Sequence, residues 1–266
     1  MNLTQAAGFF RFLAHFENAA LVFALRMGWV RLPLFLYRLR NGAQTYEFLA
    51  RPRACTGSDL FILREALVDE SYREILPLLG KAPLRMVDLG ANLGAVTVWF
   101  HRVHGLREAF CFEPDADSFQ LCEFNLRRNE CHGATAYPHA VSATSGEANI
   151  STDPDRPAQS SLYRKDVTKN PGSQTVKVVA FAEWLEEHPG DFDLLKCDCE
   201  GAEWAILEKT PECFARFKVV VIEVHRNPIS QRPLSDFPDV LSRQGFTTLR
   251  WDGHCNGLYI GQRASG

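Results

Sequence analysis

The chain has 266 residues, of which 46% are hydrophobic and 23% charged, and a net charge of −3. That length suits one large domain with an extension and a sizeable core. The near-neutral balance supplies no basic domain or stripe of the kind that nucleic-acid binding calls for. The charge is uneven: residues 1–53 hold seven arginines against two glutamates, about +5, which leaves about −8 on the rest.

Residues 1–57 read as an N-terminal helical extension. Thr4 is placed to cap a helix with Phe9, Leu13, Phe16 and Ala20 on one face, and a second helical stretch follows through Leu36. Residues 42–57 look irregular or short-stranded. A helical cap buries an apolar stripe and solvates its arginines. A basic, aromatic-rich arm also suits peripheral contact with an anionic membrane or an acidic partner. Arg11, Glu17, Arg26, Arg31 and Arg38 interrupt the apolar run well short of the ~20 residues that a crossing needs. The arm also lacks a basic segment leading into an uninterrupted apolar stretch and a small-residue cleavage site, so secretion is not expected. The eight cysteines form no CxxC pair and no zinc-type spacing. Reduced, structural thiols in a cytoplasmic protein are the expectation.

Residues 59–79 read as one or two helices ended by Gly80 and Pro83. An alternation begins at residues 84–89, LRMVDL, a strand; a helix is expected over 93–103, a strand over 108–113 and a helix over 115–129. ATAYPHAV (134–141) reads as a strand, with an edge strand near 147–151. Residues 152–173 form the longest expected loop, and long loops in compact domains are commonly functional or disordered. Further strands are expected over 175–181, 193–200 and 218–225, with helices near 181–187, 202–208 and 234–243. TTLRW and NGLYI close the chain as an antiparallel hairpin at the sheet edge. Strands alternating with helices predict an α/β fold, a mostly parallel, doubly wound sheet with helices on both faces.

In such a sheet ligands bind outside the carboxyl ends of the strands. Those ends carry Asp88, Glu113, His139, Asp198, Glu200, Glu223 and His225. The turn DLGANLG after the first strand offers Gly90 and Gly94, which remove side chains that would block a ligand from the backbone. Glu113 ends the next strand, 25 residues after Asp88, placed to accept hydrogen bonds from a ribose diol. Nicotinamide and S-adenosylmethionine enzymes share this arrangement. A dinucleotide site wants GxGxxG so that a pyrophosphate meets a helix N-terminus. Here Asn92 takes the place of the middle glycine. A carboxylate at Asp88 would repel a pyrophosphate and suit the ammonium and sulfonium of S-adenosylmethionine. No GxSxG nucleophile elbow is present.

DLGANLG, FEPDADSFQLCEFNLRRN, HAVS, DLLKCDCEGAEWAIL and VVVIEVH, in that order, resemble the FkbM-type methyltransferases over roughly residues 60–258. The resemblance implies a Rossmann-like class I methyltransferase domain over 58–266. It implies that Asp88, Gly90, Ala91, Asn92 and Gly94 shape the methionine pocket, that Glu113 with Pro114 holds the ribose, and that His139, Ala140 and Val141 flank the adenine. Asp198 would face the methyl-transfer site, and Tyr72 would close over the cofactor. Cys197 and Cys199 stand where the family usually has aliphatic residues.

The activity so expected is O-methylation of a hydroxyl on a sugar, glycan or natural-product-type metabolite. A nicotinamide oxidoreductase and a non-catalytic S-adenosylmethionine-binding scaffold are the rivals. His225 is the expected general base, since its unperturbed pKa lies near neutrality. Asp198, Glu200 and Glu223 would orient it, bind acceptor hydroxyls or hold a divalent metal. Asp198, Glu223 and His225 offer suitable oxygen and nitrogen ligands, although a metal-free site is the preferred reading. Against these roles, Glu200 and Glu203 would merely complement a helix dipole, Glu223 would pair with Lys196, and His225 would be a satisfied strand-end histidine. Ser160 and Ser161 in the long loop are expected to line the acceptor pocket.

Overall fold

The computed structural model describes residues 3–52, 59–152, 172–225, 232–254 and 257–264. The arm holds helices α1 (Leu3–Leu13) and α2 (Ala19–Arg26), then strands β1 (Phe35–Asn41) and β2 (Gln44–Ala50). The expectation of helix through Leu36 is therefore corrected. Thr4 lies inside α1 rather than ahead of it, and helix stops at Arg26. From Phe35 the apolar period is two: Phe35, Tyr37 and Leu39 pair across from Tyr46, Phe48 and Ala50, all buried. The strands turn at Gly42 and Ala43, with Gly42 at φ +57°, a two-residue connection that favours glycine.

This hairpin is packed into the body of the protein. Asn125 Nδ2 donates to the Leu49 carbonyl and Asn125 Oδ1 accepts the Leu49 N–H, at 3.1 and 2.8 Å. Asn129 makes the same pair of bonds to Glu47. Arg51 forks onto the buried Asp59 carboxylate and reaches Ser118. One apolar cluster runs from Phe12 through Tyr37, Trp99 and Leu121 to Val221.

Helix α3 (Asp59–Leu67) and a short 3₁₀ turn, Arg73–Leu78, lead into the alternating part. There follow β3 (Leu84–Leu89), α4 (Ala95–Val103), β4 (Leu106–Phe112), α5 (Ala116–Arg128), β5 (Ala134–Tyr137), β6 (His139–Ser142), β7 (Gly146–Thr152) and β8 (Gly172–Ala180). Then come α6 (Phe181–Glu187), β9 (Phe192–Cys197), α7 (Ala202–Lys209), β10 (Phe217–Val224), α8 (Phe237–Arg243), β11 (Phe246–Trp251) and β12 (Gly257–Arg263). The central sheet has seven strands in the order β11-β12-β10-β9-β3-β4-β5, and only β12 runs against the others. The central strands β3, β9 and β10 are covered on both faces, which is why their sequences are nearly continuous apolar runs.

The fold class expected from the sequence is thus met, with the closing hairpin carrying β12 inside the sheet and β11 at its edge. The stretch 134–141 is not one strand. Pro138 has no N–H to give a ladder, so β5 stays in the central sheet while β6 joins β8 and β7 in a second, three-stranded sheet. Because β3 turns toward β4 while β9 and β10 lie on its other side, the switch in winding falls between β3 and β9. A cleft is expected there.

Candidate active site

One cleft opens at that point, enclosing about 1000 Å³ of space that is partly open to solvent. Its lining gathers Gly90, Ala91 and Asn92 after β3, Glu113 and Pro114 after β4, His139, Ala140 and Val141 of β6, and Tyr72. Asp198, Glu200 and Glu223 line it from β9 and β10. Segments spread along the chain from Tyr72 to Glu223, chosen from the sequence, meet around one space. Ser160 and Ser161 lie outside the described residues.

Three expected residues, Asp88, Gly94 and His225, are not part of the lining. Asp88 is fully buried and does not face the cleft. Its Oδ2 accepts the Thr97 hydroxyl at 2.8 Å, and its Oδ1 stands 3.3 Å from Lys196 Nζ. The register places Asp88 directly beside Lys196 on β9, so the lysine inside that apolar strand neutralises the aspartate. Lys196 also donates to the Gly90 carbonyl at 2.6 Å. The charge of Asp88 is therefore spent inside the protein, and its sign does not select the ligand. Gly94 is likewise away from the cleft: a Cβ there would meet Cys122 Sγ at 3.1 Å and Leu126 at 3.4 Å. Its φ of +75° and the packing of α4 on α5 account for the glycine. Gly90 is required by a closer approach still, since a Cβ would fall 1.9 Å from the Asp198 carbonyl oxygen.

Gly90, Ala91, Asn92 and Gly94 in the turn after β3 spend their N–H groups inside the protein. Gly90 and Ala91 both donate to the Phe112 carbonyl at 2.9 Å, Asn92 donates to Glu113 Oε2 at 2.8 Å, and Gly94 donates to the Ala91 carbonyl at 2.8 Å. A pyrophosphate needs such groups unspent. Asn92 reaches its position with φ +49°, a left-handed conformation that asparagine tolerates. Glu113 is the knot of this end. Its Oε1 accepts the Asp115 N–H at 2.9 Å and its Oε2 that of Asn92, which leaves lone pairs toward the cleft. Burial raises its pKa to about 7, the two N–H donors working the other way. Asp115 in turn caps α5 by accepting the Ser118 N–H.

At the other end, His225 follows β10 and is only 6% exposed. Its Nδ1 lies 3.2 Å from Glu203 Oε1, which also accepts the His225 backbone N–H at 2.7 Å; Glu203 Oε2 accepts the Gly201 N–H at 2.9 Å. Glu203 is thus the fully buried anchor of the ring and not merely a dipole complement. His225 Nε2 makes no hydrogen bond and stands 3.5 Å from Glu223, 3.7 Å from Glu200 and 3.8 Å from Asp198.

Burial disfavours the imidazolium, but Glu203, Glu223 and Asp198 outweigh it and push the histidine pKa well above its usual value. The ring itself does not line the cleft and meets it only through the neighbouring carboxylates of Asp198, Glu200 and Glu223. Asp198 is raised to about 8, first by burial and then by Glu223. Asp198 and Glu223 keep about a third of their side chains exposed, at 34% and 35%, and are the acids that reach the open side.

Sequence reasoning passed over Glu65, Phe112 and Ile150, which also line the cleft. It treated Lys196 as a partner of Glu223. An ionisable residue within an otherwise apolar strand, one position before Asp198's neighbour Cys197, was the available signal for the pair with Asp88. Cys197 and Cys199 are reduced, their sulfurs 3.7 Å apart.

Known proteins resemble the same part of the chain. The family described as the methyltransferase FkbM domain matches residues 88–247. The chain is 26% identical over 165 residues to Methyltransferase 1 of Beauveria bassiana (strain ARSEF 2860), which covers 55% of this chain and 65% of that protein. It thus spans just under two thirds of that relative. It is also 26% identical over 182 residues to Methyltransferase sdnD of Sordaria araneosa, covering 57% of this chain and 69% of the other. The crystal structure of methyltransferase FkbM from Methylobacillus flagellatus KT is 17% identical, with a TM-score of 0.45, over 67% of this chain and 43% of that one.

Proposed function

The chain belongs to the FkbM methyltransferase family, and from that premise we propose that it uses S-adenosylmethionine to methylate a hydroxyl of a sugar, glycan or natural-product-type metabolite. The observation that carries the reading is Glu113. It is a buried carboxylate fastened by two backbone N–H groups, at a cleft that the His139–Val141 strand also lines. Such an acid accepts both hydroxyls of a ribose, and the apolar Ala140 and Val141 suit an adenine face. The committed N–H groups of residues 90–92 speak against a dinucleotide, where the sequence had relied on the charge of Asp88.

The sulfonium is an activated methyl donor, so the protein has two tasks: to align an oxygen with the methyl group and to receive its proton. Alignment of two bound reactants is worth several kcal/mol. Asp198 takes the proton in this reading, Glu223 and Glu200 hold the acceptor's hydroxyls, and His225 positions these acids from behind. Tyr72 closes the cofactor side, its ring 6.1 Å from Phe100. Calorimetry with S-adenosylmethionine tests the first half. Methyl transfer to a panel of glycosides and hydroxylated metabolites, read by mass, tests the second: an N- or C-methylated product would overturn the choice of oxygen.

The arm suits an anionic lipid surface. Phe10, Phe23 and Trp29 are in ring contact, Trp29 is 73% exposed, and Arg11, Arg26 and Arg31 are exposed on the same segment. Aromatic rings beside arginines are the chemistry of interfacial binding. Among the described residues no helix is long and apolar enough to cross a membrane.

A further inference from the structure

We propose that Asp198, Glu200 and His225 form a site for one divalent metal ion of the manganese(II) or magnesium(II) class, with Glu223 at its rim. One ligand atom from each of the three lies within 4.8 Å of the others. Clustered acids alone would be weak grounds; the histidine supplies the independent observation. Its Nε2 is buried, has no hydrogen bond and points into the acids at 3.5, 3.7 and 3.8 Å.

A protonated Nε2 placed for an ion pair would close on one carboxylate at about 2.7–2.9 Å. Here it stands almost evenly from three. Separations of that size are those of donors sharing a centre roughly 2.2–2.6 Å from each, a metal–ligand length.

The ring is also held as a metal-bound imidazole is held. Glu203 faces Nδ1 at 3.2 Å and takes the backbone N–H of the same residue at 2.7 Å. With Nδ1–H given to Glu203, the lone pair sits on Nε2. A carboxylate behind the imidazole fixes tautomer and orientation in this way at metal centres. The donor set decides the class of ion. Carboxylate oxygens suit magnesium, calcium and manganese, and a nitrogen among them shifts the preference toward manganese.

The site's role rests on the methyl-transfer reading. A cation held by Asp198, Glu200 and His225 would orient a pair of neighbouring acceptor oxygens, as on a sugar ring, with Glu200 acting through the ion and the second Asp198 oxygen kept for the acceptor's proton.

The test uses the full chain, stripped with a chelator and titrated with manganese(II) chloride, with the free-ion signal followed by electron paramagnetic resonance. The expected result is one bound equivalent, with spin-echo modulation from a directly coordinated nitrogen. Glu200→Gln and Asp198→Asn should each weaken it by about tenfold or more. Absence of stoichiometric binding in the wild-type chain would overturn the site. So would binding without nitrogen modulation, or binding that both variants retain in full. Calorimetry of the metal-free chain with S-adenosylmethionine reports on the cofactor separately, so failure of one reading is distinguishable from failure of the other.

Discussion

At the β3–β4 end of the cleft the carboxylates are answered from within the chain: Asp88 by Thr97 and Lys196, Glu113 by the N–H groups of Asn92 and Asp115. At the β9–β10 end Asp198, Glu200 and Glu223 surround a histidine nitrogen that bonds to none of them. In the proposed reading the first end, whose carboxylates are already bonded, accepts hydrogen bonds from neutral hydroxyls. The second gathers several acids close together, and such a cluster is stabilised by a positive ligand. One sheet edge therefore holds two kinds of site, distinguished by whether the protein completes its own electrostatics.

The most severe break in that comparison is Asp88→Ala. It strands the Lys196 ammonium in a buried position, which should cost about 3–5 kcal/mol of stability, seen as a lower denaturant midpoint. Asp198→Asn at the opposite end removes one of several crowded acids. It should leave the metal-free chain as stable as the wild type or slightly more so, since like charges there repel. A large loss of stability in Asp198→Asn would erase the distinction between the two ends.

Glu113→Gln comes next. Losing a charged acceptor should weaken S-adenosylmethionine binding by about 1.5–3 kcal/mol, or roughly ten- to hundredfold. The pH dependence sharpens the same point. The Glu113 pKa is raised to about 7 and the ionised form binds, so affinity should rise with pH through 7 and be roughly tenfold weaker at pH 6 than at pH 8. The effect on folding has the opposite sign. A native pKa above the unfolded one means the native state binds more protons between the two, so this residue's contribution to stability is lost as pH rises across that window. Glu113→Gln should flatten both trends.

The smallest effect concerns the arm. Trp29→Ala with Arg31→Ala should reduce cosedimentation with anionic vesicles by roughly fivefold per arginine at low salt. Neutral vesicles should capture neither form.

Much of the fold was legible because buried parallel strands write themselves as apolar runs, as in β3, β9 and β10. The arm was misread where period two gave way to a mixed apolar stretch: Leu32, Pro33 and Leu34 blurred the start of β1, and the Asn41–Gly42 hairpin signal was passed over. Which residues line the cleft was largely legible, since strand ends converge by topology. Their charge states were not. Whether Asp88 meets a ligand or Lys196 depends on the register between β3 and β9, and whether Gly94 serves a ligand or the packing of α5 depends on Cys122 and Leu126. Both are facts of tertiary contact that spacing along the chain does not contain. For His225 too, its motif reveals the residue, while Glu203 and three neighbouring carboxylates decide what the ring can do.

The most direct measurement is a calorimetric titration at pH 8 of wild-type chain and Glu113→Gln with S-adenosylmethionine, and of the wild type with a nicotinamide dinucleotide. One site for S-adenosylmethionine, weakened by the substitution, and no heat with the dinucleotide are expected. Silence with S-adenosylmethionine, equal affinity in both chains, or saturable binding of the dinucleotide in the same cleft would contradict the assignment.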